Sequence, residues 1–461
     1  MTNLKYTPEE PIAAIATALA PAALGIVRCS GKNSIELLSK IFSRPKALLE
    51  AAGNTIVYGW IFDGKSKIDE VLLSVFRAPK SFTGEDMVEI SCHGGVHVVQ
   101  AVYNLLLNSG FRAAEKGEFT FRAYINGKAD LTKAEAVREI IDSKTDASQS
   151  RAAGRLAGNL YETIDGVKKH IVDTLAAIEV EIEYPEDEET IADSFDSTEL
   201  KKAESVLQEL AASWKSEKIY QDGARVVLCG RTNAGKSSLF NALLKEDRAI
   251  VSDIEGTTRD FIESWIDFTG IPARLFDTAG LRETSDVIEA VGVERTRDLS
   301  EDADLILYLV DSKSGLNEED RKFIEEHIKR TTPSLPMILV WNKCDAAEVN
   351  LSEAYQSIPQ IRISAKKGTG LGELSALVRK ALSVAESSER SITGLGSERQ
   401  KVCIEKALES VRHALALTED YALDAVVQDL EDSLDFLGEV TGSVTPEDVL
   451  DSVFSHFCVG K

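Results

Sequence analysis

Cysteine is scarce and scattered in this sequence. The six cysteines lie far apart along 461 residues, and no C-x-x-C motif occurs among them. Structural zinc sites and disulfide-rich domains need cysteines at short, regular spacing, so neither class is supported. The cysteine usage instead favours a protein of the reducing cytoplasm.

Long hydrophobic runs and positive charge are also in short supply. No apolar run reaches the length that spans a membrane, and the first residues, MTNLKYTPEEP, lack the basic and then apolar order of a signal peptide. The chain has 52 Lys and Arg against 76 Asp and Glu, a net charge of −24. That charge repels phosphate backbones, so a nucleic-acid substrate would need a local basic patch or a partner protein.

The chain is too long for one core, and its composition predicts three regions. Residues 1–125 mix short apolar runs with glycines and predict a small α+β domain. Residues 126–222 and 383–461 carry apolar stripes at helical spacing, so we expect them to pack together as one helical domain. Residues 223–382 alternate apolar runs with helical stretches, which is typical of a mostly parallel sheet. The sequence therefore predicts a multidomain α/β and α protein, with an α/β domain inserted into the helical one.

The stretch GRTNAGKSS follows the apolar run RVVLC and fits the P-loop pattern G-x-x-x-x-G-K-[ST]. The glycines let backbone N–H groups converge on phosphates. Lys236 would reach the β- and γ-phosphates, and the Ser237 hydroxyl would bind Mg²⁺. The predicted contacts in this loop are Asn233, Ala234, Gly235, Lys236, Ser237 and Ser238.

Four further motifs follow in the order of a GTP-binding domain. GTTRD would form a switch loop with Thr258 as a second Mg²⁺ ligand, and DTAG places Asp277 at a strand end. In NKCD, the Asp345 carboxylate can accept from guanine N1–H and N2–H₂, which adenine does not offer. SAK would back the base. With the P-loop these motifs predict GTP binding, through Ser252, Asp253, Ile254, Glu255, Gly256, Thr257, Thr258, Asp277, Thr278, Ala279, Gly280, Asn342, Lys343, Asp345, Ser364, Ala365 and Lys366.

The residue that orients the attacking water in Ras-type enzymes is missing. Those enzymes carry Gln directly after D-x-x-G, where this chain has Leu281, which cannot hydrogen-bond. Hydrolysis therefore needs a carboxylate or a cation from elsewhere. Asn233 could ligate a monovalent cation with carbonyls of the loop that contains Ser252, Ile254 and Thr257. From the residues alone, an ordinary loop role for Asn233 is equally compatible.

At these motifs, and over nearly its whole length, the chain resembles the MnmE/TrmE family of tRNA-modification GTPases. The more specific segments are GIVRCSG, SFTGEDMVEISCHGG, KGEFTFRAYINGKADL and the tail FCVGK. The resemblance implies a cytoplasmic homodimer whose N-terminal domain binds a tetrahydrofolate and dimerises, and whose helical domain carries a Ras-like G domain. It also implies K⁺-driven G-domain dimerisation and GTP hydrolysis.

The reaction is likewise implied by the resemblance alone. With the FAD-dependent partner MnmG, and a tetrahydrofolate such as 5-formyltetrahydrofolate as one-carbon donor, the family adds a carboxymethylaminomethyl or aminomethyl group to C5 of the wobble uridine of certain tRNAs. The resemblance makes Asn233 a K⁺ ligand and Glu289 the residue that positions water. Without it, Glu289 reads as a solvated helix residue. Folate contacts carry over to Arg28, Glu89, Lys128 and Lys461, since a carboxylate can pair with a pterin edge and cations with a glutamyl tail.

The sequence departs from the family pattern in two places. The glycine-rich loop before GIVR reads LAPAAL, which puts the loop beside the folate site in question. Thr232 stands where the family usually has proline before the P-loop Asn, and this should affect loop stiffness more than chemistry.

Three interpretations of the tail residue Cys458 stay open. A prenyl signal fits poorly, because an aliphatic residue is wanted before the last one and Gly460 stands there. The cysteine could be buried beside packed Phe454 and Phe457. The favoured interpretation is that the tail docks into the folate site and brings the thiol near the one-carbon unit.

His93 and His97 have a spacing that suits a metal on a helix, but no third ligand is evident, so a folate-site or structural role is favoured. Two other functions compete with tRNA modification. One is a GTPase switch in ribosome assembly, which the acidic C-terminal helices disfavour. The other is a general switch that awaits an external activating protein.

Overall fold

The computed structural model describes residues 10–183, 197–245, 263–277, 303–330, 335–347, 353–382, 393–417 and 423–460. The chain divides into two compact units. The first comprises Met1–Arg138, Tyr161–Glu204 and Val402–Lys461, and the second comprises Glu139–Leu160 and Ser205–Lys401. These units cut the chain at other positions than the predicted bounds, and the division into three domains stays a prediction. Among the described residues, no helix is long and apolar enough to cross a membrane.

The first unit contains a six-stranded sheet in the order β3-β4-β5-β2-β1-β6. The pairs are antiparallel except β1 with β6, which is parallel. Along β3, buried Val57 and Ile61 alternate with exposed Ile56 and Tyr58, the two-residue period of a sheet covered on one face. The strands are β1 Ile12–Ile15, β2 Leu24–Ser30, β3 Thr55–Asp63, β4 Ser66–Phe76, β5 Met87–His93 and β6 Arg112–Ala113.

The second unit contains a six-stranded sheet in the order β12-β11-β10-β7-β9-β8. All its pairs are parallel except β8 with β9. Strand β11 is buried at every residue, as expected for a parallel sheet covered on both faces. The predicted mostly parallel sheet is therefore confirmed. The strands are β7 Ala224–Gly230, β8 Glu263–Phe268, β9 Ile271–Asp277, β10 Leu305–Asp311, β11 Met337–Asn342 and β12 Gln360–Arg362.

The helices follow the predicted apolar spacing. In α7, for example, Leu160, Ile164, Val167 and Ile171 are all buried and lie on one stripe. The helices are α1 Ser34–Ser39, α2 Pro45–Leu49, α3 Val96–Asn108, α4 Glu118–Ile125, α5 Leu131–Asp142, α6 Asp146–Ala157, α7 Asn159–Glu183, α8 Thr198–Asp222, α9 Lys236–Leu243, α10 Glu318–Arg330, α11 Leu371–Ala381, α12 Glu398–Leu417, α13 Leu423–Thr441 and α14 Glu447–Ser455.

Candidate nucleotide-binding site

The P-loop connects β7 to α9 at the carboxyl edge of the parallel sheet. Gly235 caps α9 with φ +99°, a backbone conformation that glycine adopts without strain. A Cβ atom there would lie 2.1 Å from Asn342 Nδ2, so no other residue fits this close approach. The first turn of α9 leaves backbone N–H groups for an anion, which is the arrangement that phosphate-binding loops use.

The side chain of Lys236 is held at the mouth of this loop. Its Nζ donates to Gly230 O at 2.7 Å and to Arg231 O at 3.0 Å, and the residue is buried. The neighbouring Ser237 and Ser238 are exposed. A phosphate in the loop would offer Lys236 a charged acceptor in place of two neutral carbonyls, and a charge-assisted bond is the stronger one.

The NKCD motif is joined directly to the P-loop. Asn342 Nδ2 donates to Ala234 O at 3.0 Å, and its Oδ1 accepts from Ala365 N at 3.1 Å. One side chain thus ties the P-loop, β11 and the SAK segment together. The sequence predicted that these motifs meet, and the structure brings them together.

Lys343 makes a second link. Its Nζ donates to Asn233 O at 2.7 Å and pairs with Asp311 Oδ2 at 2.8 Å. Burial alone would raise the pKa of Asp311, but the hydrogen bonds from the Lys343 side chain and the Lys313 backbone, together with the charges of both lysines, lower the pKa overall. Asn233 itself is exposed and has φ +64°, the left-handed conformation that Asn tolerates better than most residues.

Asp345 is exposed, so its carboxylate can accept hydrogen bonds from a ligand. Ser364 Oγ donates to its Oδ1 at 2.8 Å. That hydrogen bond is the main cause that lowers the pKa of the Asp345 carboxyl, helped by the charges of Lys367 and Lys366. The carboxylate is therefore ionised near neutral pH and keeps lone pairs for a donor pair such as the guanine edge.

Asp277 ends β9 and is paired in register with Leu228 of β7, the strand that leads into the P-loop. The hydroxyl of Ser237, directly after Lys236, is exposed, and hydroxyl and carboxylate oxygens are ligands that Mg²⁺ accepts. The remaining predicted nucleotide contacts lie outside the described residues: Ser252, Asp253, Ile254, Glu255, Gly256, Thr257, Thr258, Thr278, Ala279 and Gly280. Leu281 and Glu289, the proposed water-positioning residue, lie outside them as well.

A second candidate site, here called the Arg28–Glu89 site, lies in the first unit. Arg28 and Glu89 are register partners on β2 and β5, and Arg28 Nη2 meets Glu89 Oε1 at 2.6 Å. The guanidinium lies 5.5 Å from the ring centre of Phe119 and 6.0 Å from that of Phe82, which is exposed. A charged pair beside an accessible aromatic ring suits a flat, polar-edged ligand.

The C-terminal tail reaches this site. Arg28 Nη1 donates to Gly460 O at 2.9 Å, and Val459 forms an isolated bridge with Lys116. Gly460 has φ +93°, and a Cβ atom there would lie 2.7 Å from Ile15 O. The tail therefore docks beside Arg28 in the N-terminal part of the chain, and the expectation that this place is the folate site stays a prediction.

Cys458 is exposed, so the alternative of a buried structural cysteine is wrong. The packing that this alternative predicted for the two phenylalanines is present: Phe454 and Phe457 are buried, with ring centres 5.6 Å apart. Of the other two folate candidates, Lys128 donates from Nζ to Pro79 O at 3.0 Å. Lys461 lies outside the described residues.

His93 is held by a carboxylate. Its backbone N and its Nδ1 both lie 2.7 Å from the carboxylate oxygens of Asp69. Within the described ranges, no group of three or more His, Cys, Asp and Glu could hold a metal ion. The LAPAAL loop closes on the same turn, because Ala22 N donates to Gly94 O at 3.1 Å. These contacts give His93 a structural role, one of the two roles that were favoured over a metal site.

The sequence analysis missed the acidic residues that support the P-loop from the side. Asp311 ends β10 and Asp320 lies in the first turn of α10; the first contacts Lys343 and the second contacts Arg231. Asp311 follows the buried run LILYLV, and a carboxylate at the end of such a run was a usable signal. Asp320 had none, since it lies in an ordinary acidic helix start.

Comparison with known proteins matches both parts of the chain. Residues 11–128 match the family described as GTP-binding protein TrmE N-terminus, and residues 131–458 match the MnmE helical domain. The tRNA modification GTPase MnmE of Treponema denticola is 53% identical over 477 residues, covering 99% of each chain. The proteins of the same name from Treponema pallidum and Enterococcus faecalis are 42% and 39% identical, with 99% and 98% of each chain covered.

Among solved structures, Aquifex aeolicus Era is 27% identical and has a TM-score of 0.29, covering 40% of this chain and 66% of that one. The G domain of the T. maritima FeoB iron transporter is also 27% identical, with a TM-score of 0.26 and coverage of 34% of this chain and 98% of its own.

Proposed function

The chain belongs to the MnmE family of tRNA modification GTPases, and from that premise we propose how its two sites serve one reaction. It is a GTP hydrolase, and it binds GTP with Mg²⁺. The proposed reaction adds a carboxymethylaminomethyl or aminomethyl group to C5 of the wobble uridine of certain tRNAs. A tetrahydrofolate supplies the one-carbon unit and the FAD-dependent partner MnmG acts jointly with this chain.

The linked nucleotide motifs are the observation that carries this proposal. Asn342 joins the P-loop to the SAK segment, and Lys343 joins it to Asp311. In the proposed complex Lys236 contacts the β- and γ-phosphates, and Asp345 accepts from guanine. Ser237 and Thr258 would hold Mg²⁺ through their hydroxyls, and Asp277 would contact it through water.

Potassium dependence is proposed from the residue types at the P-loop. Asn233 is exposed at the loop, and its carbonyl is held by Lys343. Its side chain would ligate K⁺ with carbonyls of Ser252, Ile254 and Thr257, and the cation would offset charge that develops on the transferred phosphoryl group. Glu289 would position the attacking water, since Leu281 offers no hydrogen bond.

Folate binding is proposed at the Arg28–Glu89 site. The Glu89 carboxylate can accept from the donor edge of a pterin, and the exposed Phe82 ring offers a face for stacking. Arg28 carries the charge that a glutamyl tail needs, with Lys128 and Lys461 as further cations. The docked tail leaves the thiol of Cys458 exposed, which supports a place for it near the one-carbon unit.

A homodimer is proposed through the outer face of the N-terminal sheet. Ile56, Tyr58 and Leu72 are large apolar residues exposed on β3 and β4, and Tyr58 and Leu72 are register partners. Neighbouring apolar side chains on an open sheet face are typical of a protein contact. Arg28 and Glu89 lie on the same face, so this contact would bring the folate sites of two chains to the interface.

Nucleoside analysis of tRNA by mass spectrometry tests the proposal. Cells that lack the gene would receive either the intact protein or Cys458→Ser. Loss of the modified wobble uridine on deletion, restored by the intact protein, is the expected result; full modification in the deletion strain would contradict it. Failure of Cys458→Ser to restore modification, with normal folding and GTP hydrolysis, would assign the thiol a chemical role.

A further inference from the structure

The side chain of Arg231 extends from the P-loop and is anchored on the loop after β10 and on the first turn of α10. Its Nε lies 3.0 Å from Asp320 Oδ2, and its Nη2 donates to Gly315 O at 2.7 Å and to Ser314 Oγ at 3.1 Å. Arg231 occupies one of the variable positions of the P-loop pattern. All three contacts are made with residues outside the P-loop.

Asp320 is built as a fixed anchor. Its side chain is 1% exposed, and its carboxylate accepts from Tyr308 Oη at 2.8 Å and from Asn317 N at 2.9 Å as well as from Arg231. Burial and the neighbouring Asp320 raise the pKa of Tyr308, so its hydroxyl stays protonated and donates. A buried carboxylate needs a paired charge, and Arg231 provides one.

The backbone of Arg231 acts on the loop. Its carbonyl accepts from Lys236 Nζ at 3.0 Å and from Ala234 N at 3.3 Å. The side chain of this residue is therefore fixed to Asp320 while its carbonyl sets the turn and holds the lysine. Holding the loop in its binding shape before the ligand arrives reduces the entropy lost on binding.

We propose that Asp320, through Arg231, is a positioning residue that preorganises the P-loop for the β- and γ-phosphates. Asp320 belongs to none of the nucleotide motifs, and its contacts run through Arg231 instead of to the ligand. This inference rests on the proposed role of Lys236 and its loop. It makes a specific demand: the effect must grow with the number of phosphates on the ligand.

Competition against mant-GDP with GMP, GDP and GTP tests this demand on the full chain. Asp320→Asn and Arg231→Gln should each weaken GDP and GTP binding about tenfold, because each removes the ion pair between Asp320 and Arg231, and should leave GMP affinity within about twofold. Arg231→Lys, which keeps the charge, should recover part of the loss. Ser314→Ala removes one neutral contact of Arg231 and should change each affinity less than about twofold.

Two comparisons separate the possible failures. Asp345→Asn should weaken all three ligands alike, since it acts on guanine. The inference would be overturned if Arg231→Gln lost equal affinity for GMP and GDP, or if it lowered Tm with unchanged affinities. Because Arg231 is only half-buried, this variant is informative even if Asp320→Asn does not fold. If Lys236→Ala leaves GDP and GTP affinity unchanged, the proposed role of the P-loop fails instead.

Discussion

The two candidate sites are assembled in different ways. In the nucleotide site the P-loop, NKCD and SAK motifs each follow a strand of a parallel sheet, so their residues converge because the strands end at one edge. The Arg28–Glu89 site joins strand residues to a chain end, and its link from Arg28 to Gly460 spans 432 positions. The nucleotide site can be predicted from short sequence motifs. The Arg28–Glu89 site depends on strand register and on docking of the C-terminal tail.

Because the two sites share no residues, a mutation in one should not change ligand binding at the other. Residues of the nucleotide site contact one another within the second unit, and residues of the other site contact one another within the first. A change in one should leave ligand binding at the other intact, even where both are needed for tRNA modification.

The largest effect is expected from Lys236→Ala, which gives the most severe test of whether the two sites are independent. Losing the only P-loop lysine of the motif should lower GTP affinity roughly a hundredfold or more and abolish hydrolysis. Binding of 5-formyltetrahydrofolate, measured by calorimetry on the same sample, should match wild type. A parallel loss of folate binding would show that the sites are not independent.

Glu289→Ala should come next. GTP binding should persist, because the residue is proposed to act on water alone, while K⁺-stimulated turnover should fall roughly a hundredfold. Initial rates of phosphate release in K⁺ and in Na⁺ measure this, and Glu289→Gln is the matched control for charge. Turnover near wild type would remove Glu289 from the mechanism.

Arg28→Ala sharpens the comparison from the other side. It leaves Glu89 unpaired and removes the anchor of the tail, so folate affinity should fall roughly tenfold or more. GTP turnover in K⁺ should stay unchanged. Arg28→Lys keeps the positive charge but cannot contact both Glu89 and Gly460 O as the guanidinium does. Its folate affinity should lie between those of wild type and Arg28→Ala. Unaltered folate affinity in Arg28→Ala would locate the folate site elsewhere.

Gly460→Ala should give the smallest effect. At φ +93° an added Cβ atom costs about 1–2 kcal/mol and meets Ile15 O, so the tail should undock in part. We expect folate affinity to fall a few-fold, measured as for Arg28→Ala. Val459→Ala, at an exposed neighbouring position, should leave it unchanged. Equal behaviour of the two variants would deny the tail a role in the site.

Much of the nucleotide site could be predicted because its chemistry is local. Gly235, Asn342 and Asp345 each have a role that follows from residue type and a fixed place after a strand, and the structure joins them as expected. The partner of Arg231 was not predictable. A buried ion pair between separate segments leaves no periodic or motif signal, so Asp320 is visible only in three dimensions.

The Arg28–Glu89 site shows the same limit. Arg28 and Glu89 were named through the family resemblance, but their pairing depends on the register of β2 with β5, which no turn motif fixes. The aromatic neighbour Phe82 was missed, although it stands in the segment SFTGE beside a predicted strand. Lys128 was also named through the resemblance, and its hydrogen bond to the main-chain oxygen of Pro79 is a contact that no sequence pattern predicts.

The central claim is that both sites serve one modification of tRNA. The most direct test is nucleoside mass spectrometry of tRNA from deletion cells that carry Arg28→Ala, with GTP turnover of the purified variant measured in parallel. The account predicts normal K⁺-stimulated GTP hydrolysis together with unmodified wobble uridine. Fully modified wobble uridine in those cells would contradict it.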